Sequence, residues 1–210
     1  MPLLLDKKNK NGSRLHVWQL RESSQWFYER IKLNNEEKGY YDSISYERRK
    51  QEWLAVRYLL KSKINASLEI SYNDEGKPFI PDSYYRISIS HSHDLVGLMV
   101  SDTSEVGLDI ELISDRVERI AARFLEESEL KMVGNEQRLE KLVTLWGAKE
   151  AIIKVIGNRR IDFKREIHIE PFDISKFGVV HAKINCPTLH HSFKLHYFQL
   201  DNYMIVMTEW

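Results

Sequence analysis

From Val106 to Leu112 the chain alternates apolar and polar residues, the period of a β-strand with one buried face. Leu108, Ile110 and Leu112 point into a core. Asp109 and Glu111 share the opposite face, roughly 7 Å apart at Cα. A second period follows downstream. Leu139, Leu142, Val143, Trp146, Ile153 and Ile156 trace one helical stripe, ended by Gly157-Asn158. The helix carries Lys149, Glu150 and Lys154, with Glu150 one turn before Lys154. Each feature has an ordinary reading: acidic residues on a half-exposed edge strand, and a surface ion pair contributing a few tenths of a kcal/mol. Read together they describe a hard-cation site beside a seat for a polyphosphate. Magnesium prefers oxygen ligands and is usually held by one or two protein carboxylates plus substrate phosphates.

The rest of the chain predicts helices packed on antiparallel sheet, an α+β class. Leu15 to Leu20 reads as a strand, Ser24 to Ile31 and Ser43 to Ile64 as helices, and Ile70 to Asn73 as a strand before the turn Asp74–Pro78. A hairpin is expected from Arg86–Ser90 and Val96–Ser101 around His91–Asp94. Helices are expected near 115–124 and from Glu126 to Val133. After Gly157 the pattern is a meander, with strands near 166–170, 177–185, 191–199 and 202–209.

At 210 residues the chain can bury a full core. Lys plus Arg number 31 and Asp plus Glu number 31, which argues against bulk nucleic-acid binding. A local basic face is still available: Arg116, Arg119 and Arg123 fall three and four apart and suit an acidic protein partner, although acids such as Glu118 also fit an ordinary solvated face. The single cysteine, Cys186, excludes an internal disulfide and a cysteine-rich zinc site. The run Met1–Leu5 is too short for a signal peptide, and no segment approaches a membrane span. A cytoplasmic protein is the expectation.

The two central segments resemble the paired signatures of the 4'-phosphopantetheinyl transferases. Gly107-Leu108-Asp109-Ile110-Glu111 is similar to G-[IV]-D-[IV]-E, with Leu108 a mild departure. Trp146-Gly147-Ala148-Lys149-Glu150-Ala151-Ile152-Ile153-Lys154 is similar to W-x-x-K-E-[AS]-x-x-K. Upstream, Gly76-Lys77-Pro78 and Ser90-His91-Ser92 resemble the family's G-K-P turn and S-H-S strand end. Glu52–Arg57 resembles a vaguer helical element, in which Val56 stands where the family usually has glycine. The length fits the longer, monomeric type, exemplified by the enzyme that activates surfactin synthetase. Two similar α+β halves with a pseudo-twofold relation are then implied, 1–104 and 105–210, with the active site in the cleft between them.

That resemblance implies transfer of the 4'-phosphopantetheine group of coenzyme A to a serine of an acyl or peptidyl carrier protein, in fatty acid, polyketide or nonribosomal peptide biosynthesis. Asp109, Glu111 and Glu150 would ligate Mg2+ or Mn2+. Glu150 would act either as a ligand or as general base, and Asp109 and Lys154 would complete the catalytic group. Arg57, Lys77, Ser90, His91, Lys149 and Lys154 would hold coenzyme A. Lys149 has an equal alternative, pairing with an acid to support its helix. Trp146 is expected to pack in the cleft wall. Other readings of the same carboxylates are a metal-dependent phosphoesterase or pyrophosphatase acting on coenzyme A-like nucleotides, or a non-catalytic carrier-protein binding module.

Overall fold

A computed structural model describes residues 2–10, 12–157, 161–187 and 189–208. Asn158 of the expected helix stop, and Glu209 at the end of the last expected strand, lie outside these. In chain order the elements are β1 (Leu3–Lys8), β2 (Arg14–Gln19), α1 (Ser24–Tyr28), α2 (Asn35–Ser43), α3 (Glu47–Lys63), β3 (Ser71–Tyr72), β4 (Pro78–Phe79), β5 (Arg86–Ser92) and β6 (Leu95–Ser101). There follow β7 (Leu108–Leu112), α4 (Arg116–Phe124), α5 (Glu127–Lys131), α6 (Arg138–Ile156), β8 (Ile167–Ile169), β9 (Phe177–Cys186), β10 (Leu189–Leu200) and β11 (Tyr203–Thr208).

The strands form two main antiparallel sheets, one ordered β1-β2-β6-β5 and the other β7-β11-β10-β9-β8, plus the small β3-β4 pair. Period-2 alternation decides what each sheet covers. On β6, Val96, Leu98 and Val100 face α3 and pack with Trp53, Leu54 and Leu60. Leu95 and Met99 face the other way and meet Leu108, Ile110, Ile205 and Met207 of the second sheet. The far face of that second sheet, through Met204, Val206 and Leu195, packs on α6. The layers therefore run helix, sheet, sheet, helix. Gly97 marks the tight contact between the sheets, since a Cβ there would lie 2.5 Å from Ile110 Cδ1.

The expected α+β class is what the chain adopts. Three elements went unforeseen: the short β4, which pairs with β3, β1, which pairs with β2, and α2. The last carries a readable start signal, a capping box in which Asn34 and Glu37 each satisfy the other's backbone N–H. The predicted long helix from Ser43 begins at Glu47.

Candidate active site

The site exists because α6 comes unusually close to β7. A Cβ on Gly107 would lie 2.0 Å from the carbonyl oxygen of Ala151, a backbone atom that cannot step aside. A Cβ on Gly147 would lie 2.8 Å from Val206 Cγ2. These two glycines let the helix press onto β7 and β11, and the approach brings charges into register. Lys154 Nζ donates to Asp109 Oδ1 at 2.8 Å, to Leu108 O at 2.8 Å and to Ser90 Oγ at 3.1 Å. Two turns earlier on the same helix, Trp146 Nε1 donates to Glu111 Oε1 at 3.2 Å. Trp146 also packs against Phe124 and Phe163. Glu150 stands midway, one helical turn from each.

The acidic pair is unequally served. Asp109 Oδ1 accepts from Lys154 and from Ser90, while Asp109 Oδ2 is buried with no hydrogen-bond partner. Glu111 accepts from Ser92 Oγ at 3.1 Å as well as from Trp146. Burial first, and then the neighbouring negative Asp109, hold the Glu111 carboxyl above its ordinary pKa. An orphaned buried oxygen and a carboxylate whose ionisation is penalised are what a bound cation would relieve, and the oxygen-only donors suit magnesium. Asp109 and Glu111 thus fit a hard cation as a pair. The expected triple does not assemble: among the described residues no three acidic, histidine or cysteine side chains stand close enough to hold one ion. Glu150 projects to the neighbouring cavity instead.

That cavity, about 500 Å³, is walled by α3, the β3-β4 turn, β5 and α6. Glu150, Lys154, His91, Lys77 and Arg57 all line it. His91 sits at its edge, with Nε2 3.2 Å from Arg49 Nη1 and Nδ1 3.7 Å from Glu52. Although solvent reaches the ring, the surrounding walls desolvate it and keep its pKa below the ordinary imidazole value, against the pull of Glu52. Lys77 arches over Gly157 and donates to Val155 O at 2.5 Å and Glu105 at 2.7 Å. Gly157 has φ of +75°, so it both ends α6 and leaves room for that side chain.

Three expected coenzyme A contacts have other occupations. Lys149 is fully buried, its ammonium held by Glu129 at 2.7 Å and by the carbonyls of Phe124 and Phe163 at 2.9 Å each. It supports the helix and does not line the cavity, so the pairing alternative is the correct one. Ser90, 5% exposed, has its hydroxyl committed to Asp109, Lys154 and the N–H of Ile110. Arg57 reaches the cavity wall, but its Nε lies 3.0 Å from Glu37 and its guanidinium carbon 3.4 Å above the Trp53 ring. Sequence reasoning missed Arg49 and Glu52, one turn apart on α3, and Ser92. The alternation Ser88-x-Ser90-x-Ser92 was the available signal for the last.

Residues 105–207 match the 4'-phosphopantetheinyl transferase superfamily. The 4'-phosphopantetheinyl transferase AcpT of Escherichia coli (strain K12) is 39% identical over 115 residues, covering 52% of this chain and 59% of that protein. The 4'-phosphopantetheinyl transferase gsp of Aneurinibacillus migulanus is 34% identical over 111 residues, covering 50% of this chain and 46% of its own. The aligned stretch thus spans about half to six-tenths of these relatives. HetI of a Nostoc species, another 4'-phosphopantetheinyl transferase, is 24% identical over 191 residues and 81% of both chains. The matched stretch contains β7 and α6, whose side chains meet at Asp109 and Lys154, and residues 105–207 of this chain carry the domain of the 4'-phosphopantetheinyl transferase superfamily.

Proposed function

We propose that this chain transfers the 4'-phosphopantetheine group of coenzyme A to a serine hydroxyl of a carrier protein, releasing adenosine 3',5'-bisphosphate. One observation carries the reading: Glu150 and Lys154 line a cavity of about 500 Å³ from α6, and Lys154 links that space to Asp109, which stands behind its wall. We read the two sheets with their helices as similar halves, 1–104 and 105–210, with this cavity as the cleft between them. Both walls come from one chain, which fits a monomer.

In the reaction the serine oxygen attacks the β-phosphorus. An O–P bond forms and the bond to the bridging oxygen breaks, its electron pair leaving with the nucleotide. Phosphoryl-type transfer depends mainly on positioning and charge neutralisation. Glu150 takes the serine proton from the cavity side of α6. Lys154 faces the diphosphate as a point charge, and Lys77 from the β3-β4 turn and His91 from β5 bind phosphate. A magnesium ion held by Asp109 and Glu111 would supply charge neutralisation at the diphosphate when bound. Arg116, Arg119 and Arg123, all exposed on α4, attract an acidic carrier, with Arg119 also 2.7 Å from Asp115.

The test is the mass of a candidate carrier after incubation with coenzyme A, Mg2+ and this protein. A gain equal to phosphopantetheine supports transfer. Coenzyme A cleaved at the same rate with or without carrier overturns it in favour of a phosphoesterase.

A further inference from the structure

β7, the end strand of the second sheet, lies against the face of β5 in the first, and the two strands share no ladder. Their join is made by side chains. The N–H groups of Leu108, Ile110 and Leu112 donate to the hydroxyls of Ser88, Ser90 and Ser92 at 2.9, 3.0 and 3.3 Å. Residues two apart on a strand point the same way, so one comb of hydroxyls meets one row of amides. The donors fix the direction of the remaining bonds. A hydroxyl that accepts from a backbone N–H is free to give its own proton onward. Ser90 gives it to Asp109 Oδ1 and Ser92 to Glu111 Oε2, both at 3.1 Å. For Ser88 no carboxylate stands in that role among the described contacts.

We propose that Ser90 and Ser92 are positioning residues that aim Asp109 and Glu111, so that the seam between the sheets sets the geometry of the carboxylate pair. Ser88 makes the same kind of seam bond without touching a carboxylate, which separates the aiming role from the joining role. The inference rests on the proposed function in so far as the pair is taken to hold a divalent cation.

The experiment measures binding of Mn2+ alone, by the loss of free-ion EPR signal, to wild type, S88A, S90A and S92A, with thermal midpoints recorded in parallel. Outer partners of ligating groups typically change affinity by about 10- to 100-fold. We expect S90A and S92A to weaken Mn2+ binding by about tenfold or more, with S88A lowering the midpoint while holding affinity near wild type. Should S90A fail to fold, S92A, at the more open end of the comb, decides the matter. Equal affinity across the serine variants, or equal weakening in all three, overturns the inference and leaves the comb a structural join. Wild type that binds no Mn2+ overturns both the inference and the cation reading. Wild type that binds Mn2+ but leaves the carrier unmodified sinks the transfer reading alone.

Discussion

The helices α3 and α6 wall the same cavity from opposite sides, and each is pinned by a buried ion pair. On α3, Arg57 pairs with Glu37 at 3.0 Å. On α6, Lys149 pairs with Glu129 at 2.7 Å. The difference lies in how many partners each pin has. Glu37 also has Lys61, at 3.6 Å, and Arg57 is stacked on Trp53. Among the described residues Lys149 is the one cation paired with Glu129, and it gathers carbonyls from two separate segments. Glu129 in turn caps α5 through the N–H of Glu126 and accepts from the N–H of Ile169. The α6 side is thus built around a single charge, while the α3 side shares the load among several groups.

Substitutions can break this comparison. The largest effect is expected from K149M, which strands a buried carboxylate and should cost about 3–5 kcal/mol in denaturant unfolding. R57M should cost clearly less, because Lys61 and Trp53 remain; equal losses would erase the asymmetry. E150Q should lower transfer to a carrier by about 100-fold or more with an unchanged thermal midpoint. Wild-type turnover in that variant would remove Glu150 from the chemistry. G107A should destabilise by about 3 kcal/mol, because its Cβ meets backbone and not a movable side chain. G39A, on α2 with nothing within 4 Å of the added Cβ, should instead stabilise by about 0.5–1 kcal/mol.

The smallest effect concerns pH. His16 on β2 is 2% exposed, and both ring nitrogens lack hydrogen-bond partners although Nδ1 is 3.1 Å from Asp6. Burial lowers its pKa, with Asp6 opposing. The folded state therefore favours the neutral ring, and stability present above the ordinary histidine pKa of about 6.5 is lost as pH falls through the lower folded value. H16Q should show a flatter dependence of melting temperature on pH in that window.

What could be read from the chain follows the same division. The α6 side announced itself because its constraints are local. Gly107 and Ala151 are adjacent to the acidic and basic residues they bring together, and both sit inside short recurring patterns. Strand alternation found β5, β6 and the C-terminal meander within a few residues. The ion pairs were opaque because each joins positions 20 residues apart across a loop, and no spacing rule links such partners. Arg57 and Lys149 carry their charges to partners inside the protein, the outcome that for Lys149 stood level with a ligand contact in the sequence. The Ser88-x-Ser90-x-Ser92 alternation gives these hydroxyls one face but not the strand, β7, that they meet.

The serine comb has one more consequence, for solubility. Outer strands of open sheets normally expose unpaired amides that recruit foreign chains, and natural proteins must blunt them. Here hydroxyls from the face of β5 quench the amides of Leu108, Ile110 and Leu112 on the end strand β7. The end strands farthest from that seam are β1 and β8. β1 carries Asp6, Lys7 and Lys8, and β8 is three residues long, so neither offers a long apolar template for aggregation.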